Sequence, residues 1–398
     1  MNIRSAPPVH LTYCMNVHSA DSLQDIENNI FSSAAAVFSA VEQEIGEKGP
    51  YGLGLWFPHS SLQDQEDSVY MQELKNKLDS SGFYIFTLNG FPYAAFHNTR
   101  VKEQVYSPDW STQERFDYTR DLAGLLAGFI DKDIEGTIST VPVTFGPWAD
   151  KKTISAAIAR LMDTAAFCDL MKQDTGACVR LALEPEPGCF LQKTDDVIGF
   201  FEKRLYTEGA LYLEAEYGFS PSRARDVICT HIGVCIDTVH SAVMFEETAT
   251  IIHELNERDI GIFKMQLGAA VGLDVSTPED TRLLKQFADD VYLHQVNVRD
   301  KSGMIRFFRD LPEALRSPVT GEWRVHFHVP LSGSFSSVPY TGVSDIDANL
   351  LAQAVHAGVS HFEVETYTLN VLPGFSSTVE DAMARELLWV IEKFKQIA

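Results

Sequence analysis

The eight residues Gly233 to His240 read GVCIDTVH, an apolar run closed by an aspartate and, three positions on, a histidine. Four other runs share the habit: CVRLALE ends on Glu184, IFKMQL carries Lys264 and Gln266, WRVHFHV carries His326 and His328, and HFEVETY carries Glu363 and Glu365. Split by the two-residue period of a strand, each run has an aliphatic face and a polar face. Val179, Leu181 and Leu183 oppose Arg180, Ala182 and Glu184, while Phe263, Met265 and Leu267 oppose Lys264 and Gln266. Carboxylates and imidazoles buried among apolar residues are costly unless paired, hydrogen-bonded or bound to a cation. The shared division therefore marks Glu184, Asp237, His328 and Glu365 as a convergent set of three carboxylates and one imidazole.

Crowded carboxylates repel one another, and a divalent cation is the simplest compensation. Mixed oxygen and nitrogen donors suit Mn²⁺, Zn²⁺, Co²⁺ or Fe²⁺ better than Ca²⁺. A Lewis acid so placed could hold two oxygens of a polyol or hydroxy-carbonyl compound. Glu184 and Glu365 would then move a proton at the adjacent carbon, with His240 orienting the substrate. The neutral-donor position stays open between Gln266, His294 and His328. Glu186 competes with Glu184, and Glu363 with Glu365, because each pair shares a face. Ion pairs Arg180–Glu184 and Arg324–Glu363 are the structural alternative.

The elements that must position these groups alternate between short β-rich runs and longer helical patterns, which argues for a parallel sheet. No GxGxxG follows the first strand and no phosphate-binding GxxxxGK[ST] occurs, so a (β/α)8 barrel is the expected architecture. Its C-terminal strand ends form the mouth where barrel sites assemble. Nine runs read as strands: HLTYC, YGLGLWF, FYIFTLN, GTISTVPV, CVRLALE, HIGVCID, IFKMQL, WRVHFHV and HFEVETY. A barrel takes one fewer, so one is extra. The chain reads as a single domain over 1–398, with an irregular insertion at about 274–322 holding a hairpin of YLHQVNVRD and MIRFFRDL. A last helix is predicted from the capping box Ser377-x-x-Glu380 and the stripe Met383, Leu387, Val390, Ile391 and Phe394. The loop NGFPYAAFHNTRVKEQVYSPDW after the third strand is rich in aromatics. Asn89, Phe91, Tyr93, His97, Lys102 and Trp110, with His326, are its candidate substrate contacts.

The chain has 398 residues, 32 basic against 55 acidic, a net charge of −23. A surface this acidic repels phosphate backbones and anionic membranes, so neither nucleic acid nor membrane insertion is expected. The expected partner is a small polar metabolite, with a homodimer left open. Six cysteines lack CxxC or zinc-finger spacing and read as reduced, buried thiols. The N-terminal stretch shows no secretory pattern, and a cytoplasmic location is expected.

LALEPEP, CIDTVH and VETY resemble the strand ends of xylose-isomerase-like TIM barrels, which include sugar isomerases, tagatose-type epimerases and endonuclease-IV-like enzymes. LTYCMNVH, FTLNGFPYAAFH, VKEQVYSPDW and HFHVPL resemble the metabolite-traffic protein EboE family over nearly the whole chain. The resemblance implies a metal held by Glu184, Asp237, a third ligand and Glu365, with His240 in contact with substrate. It also implies association with clusters that process or move small metabolites. KMQLGAA stands where epimerases show a His-x-Lys-Asp-like pattern, so Gln266 or His328 takes the third place. The expected function is a divalent-metal-dependent sugar isomerase or epimerase. A non-catalytic metabolite-binding protein of an export pathway is the main rival, and a metal-dependent phosphodiesterase or hydrolase is disfavoured by the charge.

Overall fold

A computed structural model describes residues 1–5, 7–62, 68–94, 100–131, 133–317, 319–333, 336 and 341–397. Eight strands lie parallel: β1 (Pro8–Tyr13), β2 (Tyr51–Leu55), β3 (Phe83–Asn89), β4 (Gly136–Thr140), β5 (Val179–Leu183), β6 (Ile232–Asp237), β7 (Ile262–Leu267) and β8 (His361–Val364). Their order is β1-β8-β7-β6-β5-β4-β3-β2, and a parallel bridge between Cys14 and Gly54 joins the two edges and closes the ring. Helices, among them Gln113–Phe129 and Lys151–Thr175, link successive strands, and Val379–Lys395 follows the last one. This is a (β/α)8 barrel, as the alternation predicts.

Between β7 and β8 the chain departs into a second, five-stranded antiparallel sheet. Its strands run from Ala269–Val275 to Thr341–Val343, a wider span than the insertion expected from the sequence. The departure is hard to see because β7 passes into it through Gly268 alone, with no polar turn. The hairpin of Val296–Arg299 with Ile305–Phe308 forms. WRVHFHV is the extra run: Gly321–Val329 pairs with Ala269–Val275 and Val296–Arg299, not with any barrel strand.

The predicted parity holds in β5, whose Val179, Leu181 and Leu183 join the main apolar core. It fails in β7. A register shift opposite Val234/Cys235 inserts one residue, and Phe263 turns away from Met265 to pack on Ala182 and Cys235. Gly233 makes the room, since a Cβ there would lie 2.6 Å from the Phe263 ring. Arg180 sits over that ring at 4.8 Å and pairs with Glu135 rather than Glu184. Arg324 pairs with Glu322 rather than Glu363. The last helix is capped one residue later than expected, by Thr378 accepting from the Asp381 N–H at 3.1 Å, because SSTVED offers both registers.

Below the mouth, the barrel interior is polar and its charges are paired, although Glu363 Oε1 and Gln266 Nε2 have no hydrogen-bond partner. Lys264 meets Glu363 at 2.5 Å with both side chains fully buried, and also donates to Ser139 Oγ at 3.3 Å. Burial disfavours the Lys264 charge, but the Glu363 carboxylate outweighs it and raises the ammonium above its ordinary range. Gly54 leaves the space for Glu363, whose carboxylate a Cβ there would overlap. Lower still, Thr137 Oγ1 bonds His361 Nδ1 at 2.9 Å and His10 Nδ1 bonds the Tyr84 hydroxyl at 2.8 Å.

Candidate metal centre

The ends of β5, β6 and β8 deliver Glu184, Asp237 and Glu365 to the mouth, and Gly321–Val329 brings His326 and His328 to the same place. Asp237 caps the short helix Thr238–Val243, its Oδ1 accepting from the N–H groups of Val239 at 2.6 Å and His240 at 3.2 Å. That helix sets His240 one turn beyond Asp237, which explains the DTVH pattern. Three donor groups arise, each with atoms within 4.8 Å of one another: Glu184–Asp237–His240, Asp237–His328–Glu365 and His240–His326–His328.

Two buried carboxylate oxygens here, Glu184 Oε2 and Asp237 Oδ2, have no hydrogen-bond partner. Asp237 Oδ2 lies 3.9 Å from His240 Nε2 and 4.0 Å from His328 Nε2. Glu365 Oε1 accepts from the side-chain amides of Asn16 at 3.0 Å and Asn89 at 3.2 Å. Burial, then the charges of Glu365 and Asp237, push Glu184 well above the ordinary 4.5. Burial, then Asp237 and Glu363, do the same to Glu365. Burial pushes the imidazoles the other way, His326 well below its ordinary range and His328 down to about 4 despite Asp237. The centre thus gathers acids that resist ionising beside imidazoles that resist protonation. Orphaned buried oxygens facing neutral imidazoles fit a divalent cation.

The three rings are fixed from behind. His240 Nδ1 bonds Pro185 O at 2.8 Å, His328 Nδ1 bonds Glu365 O at 3.0 Å, and His326 Nδ1 bonds Gln295 Oε1 at 2.7 Å. Above them opens a cleft of about 620 Å³, its open mouth included, walled by Phe91, Val105, Tyr106, Tyr292, Leu293 and Tyr367.

Of the predicted substrate contacts, Asn89, Phe91, Lys102 and His326 line this cleft. The Lys102 ammonium, however, is occupied by Asp289 O at 3.0 Å, Tyr292 O at 2.6 Å and Asp310 Oδ2 at 2.9 Å, so it clamps its loop to the insertion. Tyr93 and Trp110 do not reach the cleft. Tyr93 stacks on His59 at 4.6 Å, and Trp110 is wholly buried in the core; large rings gain more from burial than from lining a wet cleft. His97 lies outside the described residues. Of the neutral donors weighed, His328 stands with Asp237 and Glu365. Gln266 instead accepts from the Cys235 thiol at 2.9 Å, and His294 is held by His326 O and Asp289. Glu186 is engaged by the Tyr106 hydroxyl at 2.6 Å. Sequence reasoning missed Asn16 and Gln295. Asn16 follows the first strand end, a position that by itself points to the mouth, whereas Gln295 carries no local signal.

No protein-family model matches the chain, and no curated protein matches it in sequence. Among solved structures, it is similar to D-psicose 3-epimerase in the presence of D-fructose, at 10% identity and TM-score 0.47, covering 96% of this chain and 97% of that one. It is similar to the IolI protein with a binding zinc atom, at 12% identity and TM-score 0.45, covering 97% and 100%. A xylose isomerase domain protein from Alicyclobacillus acidocaldarius gives 13% identity and TM-score 0.42, covering 97% of both chains. Likeness at this level assigns no chemistry, which rests on the residues of the centre. Among the described residues, no helix is long and apolar enough to cross a membrane.

Proposed function

We propose that the chain is a divalent-metal-dependent isomerase or epimerase of a small polyhydroxy or hydroxy-carbonyl metabolite. One observation carries this reading: unpartnered carboxylate oxygens of Glu184 and Asp237 stand among imidazoles at the foot of a cleft with aromatic walls. The available donors are Glu184, Asp237, His328 and Glu365, with His240 and His326 beside them. A cation there, whether Mn²⁺, Zn²⁺, Co²⁺ or Fe²⁺, supplies Lewis-acid polarisation of substrate oxygens. The rest is done by the chain. Glu184 and Glu365 face the cleft with raised proton affinity, the property a carboxyl needs to take a proton from one carbon or oxygen and return it to another near neutral pH. Asn16 and Asn89 fix the Glu365 carboxylate, and the aromatic walls exclude water. The resemblance of LTYCMNVH, FTLNGFPYAAFH, VKEQVYSPDW and HFHVPL to the EboE family supports a role in metabolite processing or traffic, with a small polar metabolite as partner. The buried free thiols suit a cytoplasmic location.

The test is carbon-bound hydrogen exchange in D₂O, followed by ¹H NMR, over a panel of aldoses, ketoses and cyclic polyol ketones with the metal-loaded protein. Exchange with at least one compound, abolished in folded Glu184→Gln, is expected. Tight ligand binding without exchange in any compound would favour the non-catalytic carrier instead.

A further inference from the structure

Three imidazoles at the mouth turn their Nε2 atoms toward one another. Pro185 O and Glu365 O can only accept, so the Nδ1 atoms bonded to them in His240 and His328 each carry a proton. Gln295 turns its amide NH₂ to Pro187 O at 2.9 Å and Glu186 Oε1 at 3.3 Å, which leaves Oε1 to accept from His326 Nδ1. In a neutral ring with Nδ1 protonated, Nε2 is a bare lone pair. Yet His326 Nε2 stands 3.1 Å from His240 Nε2 and 3.2 Å from His328 Nε2. Three such lone pairs would repel, and either a second proton on one ring or a cation between them relieves the repulsion. The convergence of all three nitrogens on one point beside an unpartnered carboxylate oxygen favours the cation. Nitrogens bound to one tetrahedral cation at about 2.05 Å stand about 3.3 Å apart, close to the two separations observed. The unpartnered Asp237 Oδ2 lies 3.9 and 4.0 Å from two of these nitrogens, wider than a tetrahedral edge but near enough to supply a fourth donor by a small side-chain shift.

We infer that the cation is held by His240, His326, His328 and Asp237, a nitrogen-rich set, and that Glu184 and Glu365 remain outside it as the proton-carrying pair. This rests on the reading that the mouth is a divalent-cation site. It assigns the metal class: imidazole-dominated sites favour Zn²⁺, Co²⁺ or Fe²⁺ over Mg²⁺ and Mn²⁺, which prefer oxygen. His326, on the inserted strand, becomes a ligand rather than a substrate contact. The insertion is thereby part of the centre, not an ornament on the barrel.

The experiment strips the full-length protein with chelator and reloads it with one equivalent of Co²⁺, whose visible spectrum reports coordination geometry and needs no substrate. Affinities for Co²⁺ and Zn²⁺ come from competition with a chromophoric chelator. The expected result is the intense visible absorption of a four-coordinate, nitrogen-rich site. Affinity should weaken about tenfold or more in His326→Gln, and stay within about threefold in Glu184→Gln and Glu365→Gln. Because the wild-type spectrum is itself diagnostic, a misfolded variant does not rescue the idea. Weak absorption typical of six oxygen-rich ligands overturns it. So does loss of metal in the glutamine variants with none in His326→Gln. A protein that binds neither ion overturns both this assignment and the metal-dependent function. Binding as expected without conversion of any sugar overturns only the function.

Discussion

Two layers of buried polar residues share the inside of this barrel and behave oppositely. In the lower layer Lys264 meets Glu363 at 2.5 Å, and His10, Tyr84, Thr137 and His361 bond among themselves. In the mouth, carboxylates crowd carboxylates, imidazoles face imidazoles, and Glu184 Oε2 and Asp237 Oδ2 have no partner. The residues of both layers are buried, so burial does not separate them. What separates them is whether the charges are matched within the chain. A matched layer contributes to a specific fold, and an unmatched one is held in place by the fold for something that arrives from outside.

The contrast can be broken most severely from below. Lys264→Met leaves Glu363 buried and unpaired and should destabilise the protein by about 3–5 kcal/mol in denaturant unfolding, with much of that recovered in Lys264→Met/Glu363→Leu. If the single variant unfolds like wild type, the lower layer is not a matched pair. In the mouth the same kind of change should act on turnover and not on stability. Glu184→Gln should lower turnover by about 10²–10⁴-fold, while the thermal midpoint of the metal-free protein stays level or rises. A large fall in that midpoint would make Glu184 a structural residue.

Acidity sharpens the difference further. Glu184 and Glu365 are raised above 4.5 in the folded protein, so their contribution favours folding when they are protonated and is lost as pH rises from about 4.5 through their folded values. Metal-free wild type should therefore lose thermal stability between pH 5 and 7 relative to Glu184→Gln, and an equal slope in the two proteins would contradict the raised affinity. The smallest effect is expected at Asn89→Ala. It removes one of two amides on Glu365 and should cost about 1 kcal/mol, seen as a fewfold loss in kcat/KM with folding intact.

Much of this arrangement was legible in the chain. Alternation of strands and helices indicates the barrel, and strand parity brings Glu184, Asp237 and Glu365 to one end. Parity fails at Phe263, because a one-residue bulge inverts side-chain direction without leaving a mark in composition. It also assigns WRVHFHV to the barrel, since a strand of the inserted sheet has the same two-residue period as a barrel strand. His328 was singled out for its residue type and still reaches the mouth, though by a route from outside the barrel. The roles of Asn16 and Gln295 depend on contacts across 349 and 31 residues of chain, to Glu365 and His326, which no local pattern encodes. Tyr93 and Trp110 show the reverse error, in which aromatic richness in a loop was read as a binding surface when the rings pack inward.

The measurement that bears most directly on the unmatched mouth is metal content by inductively coupled plasma mass spectrometry. It is made on protein purified without chelator or added metal, beside Asp237→Asn, which keeps the helix cap and removes the charge. About one equivalent of Zn, Co, Fe or Mn in wild type, lost in the variant, is the predicted result. Wild type that carries no metal and takes none up on reconstitution would contradict it and leave the cluster as a set of buried acids and imidazoles awaiting an organic ligand.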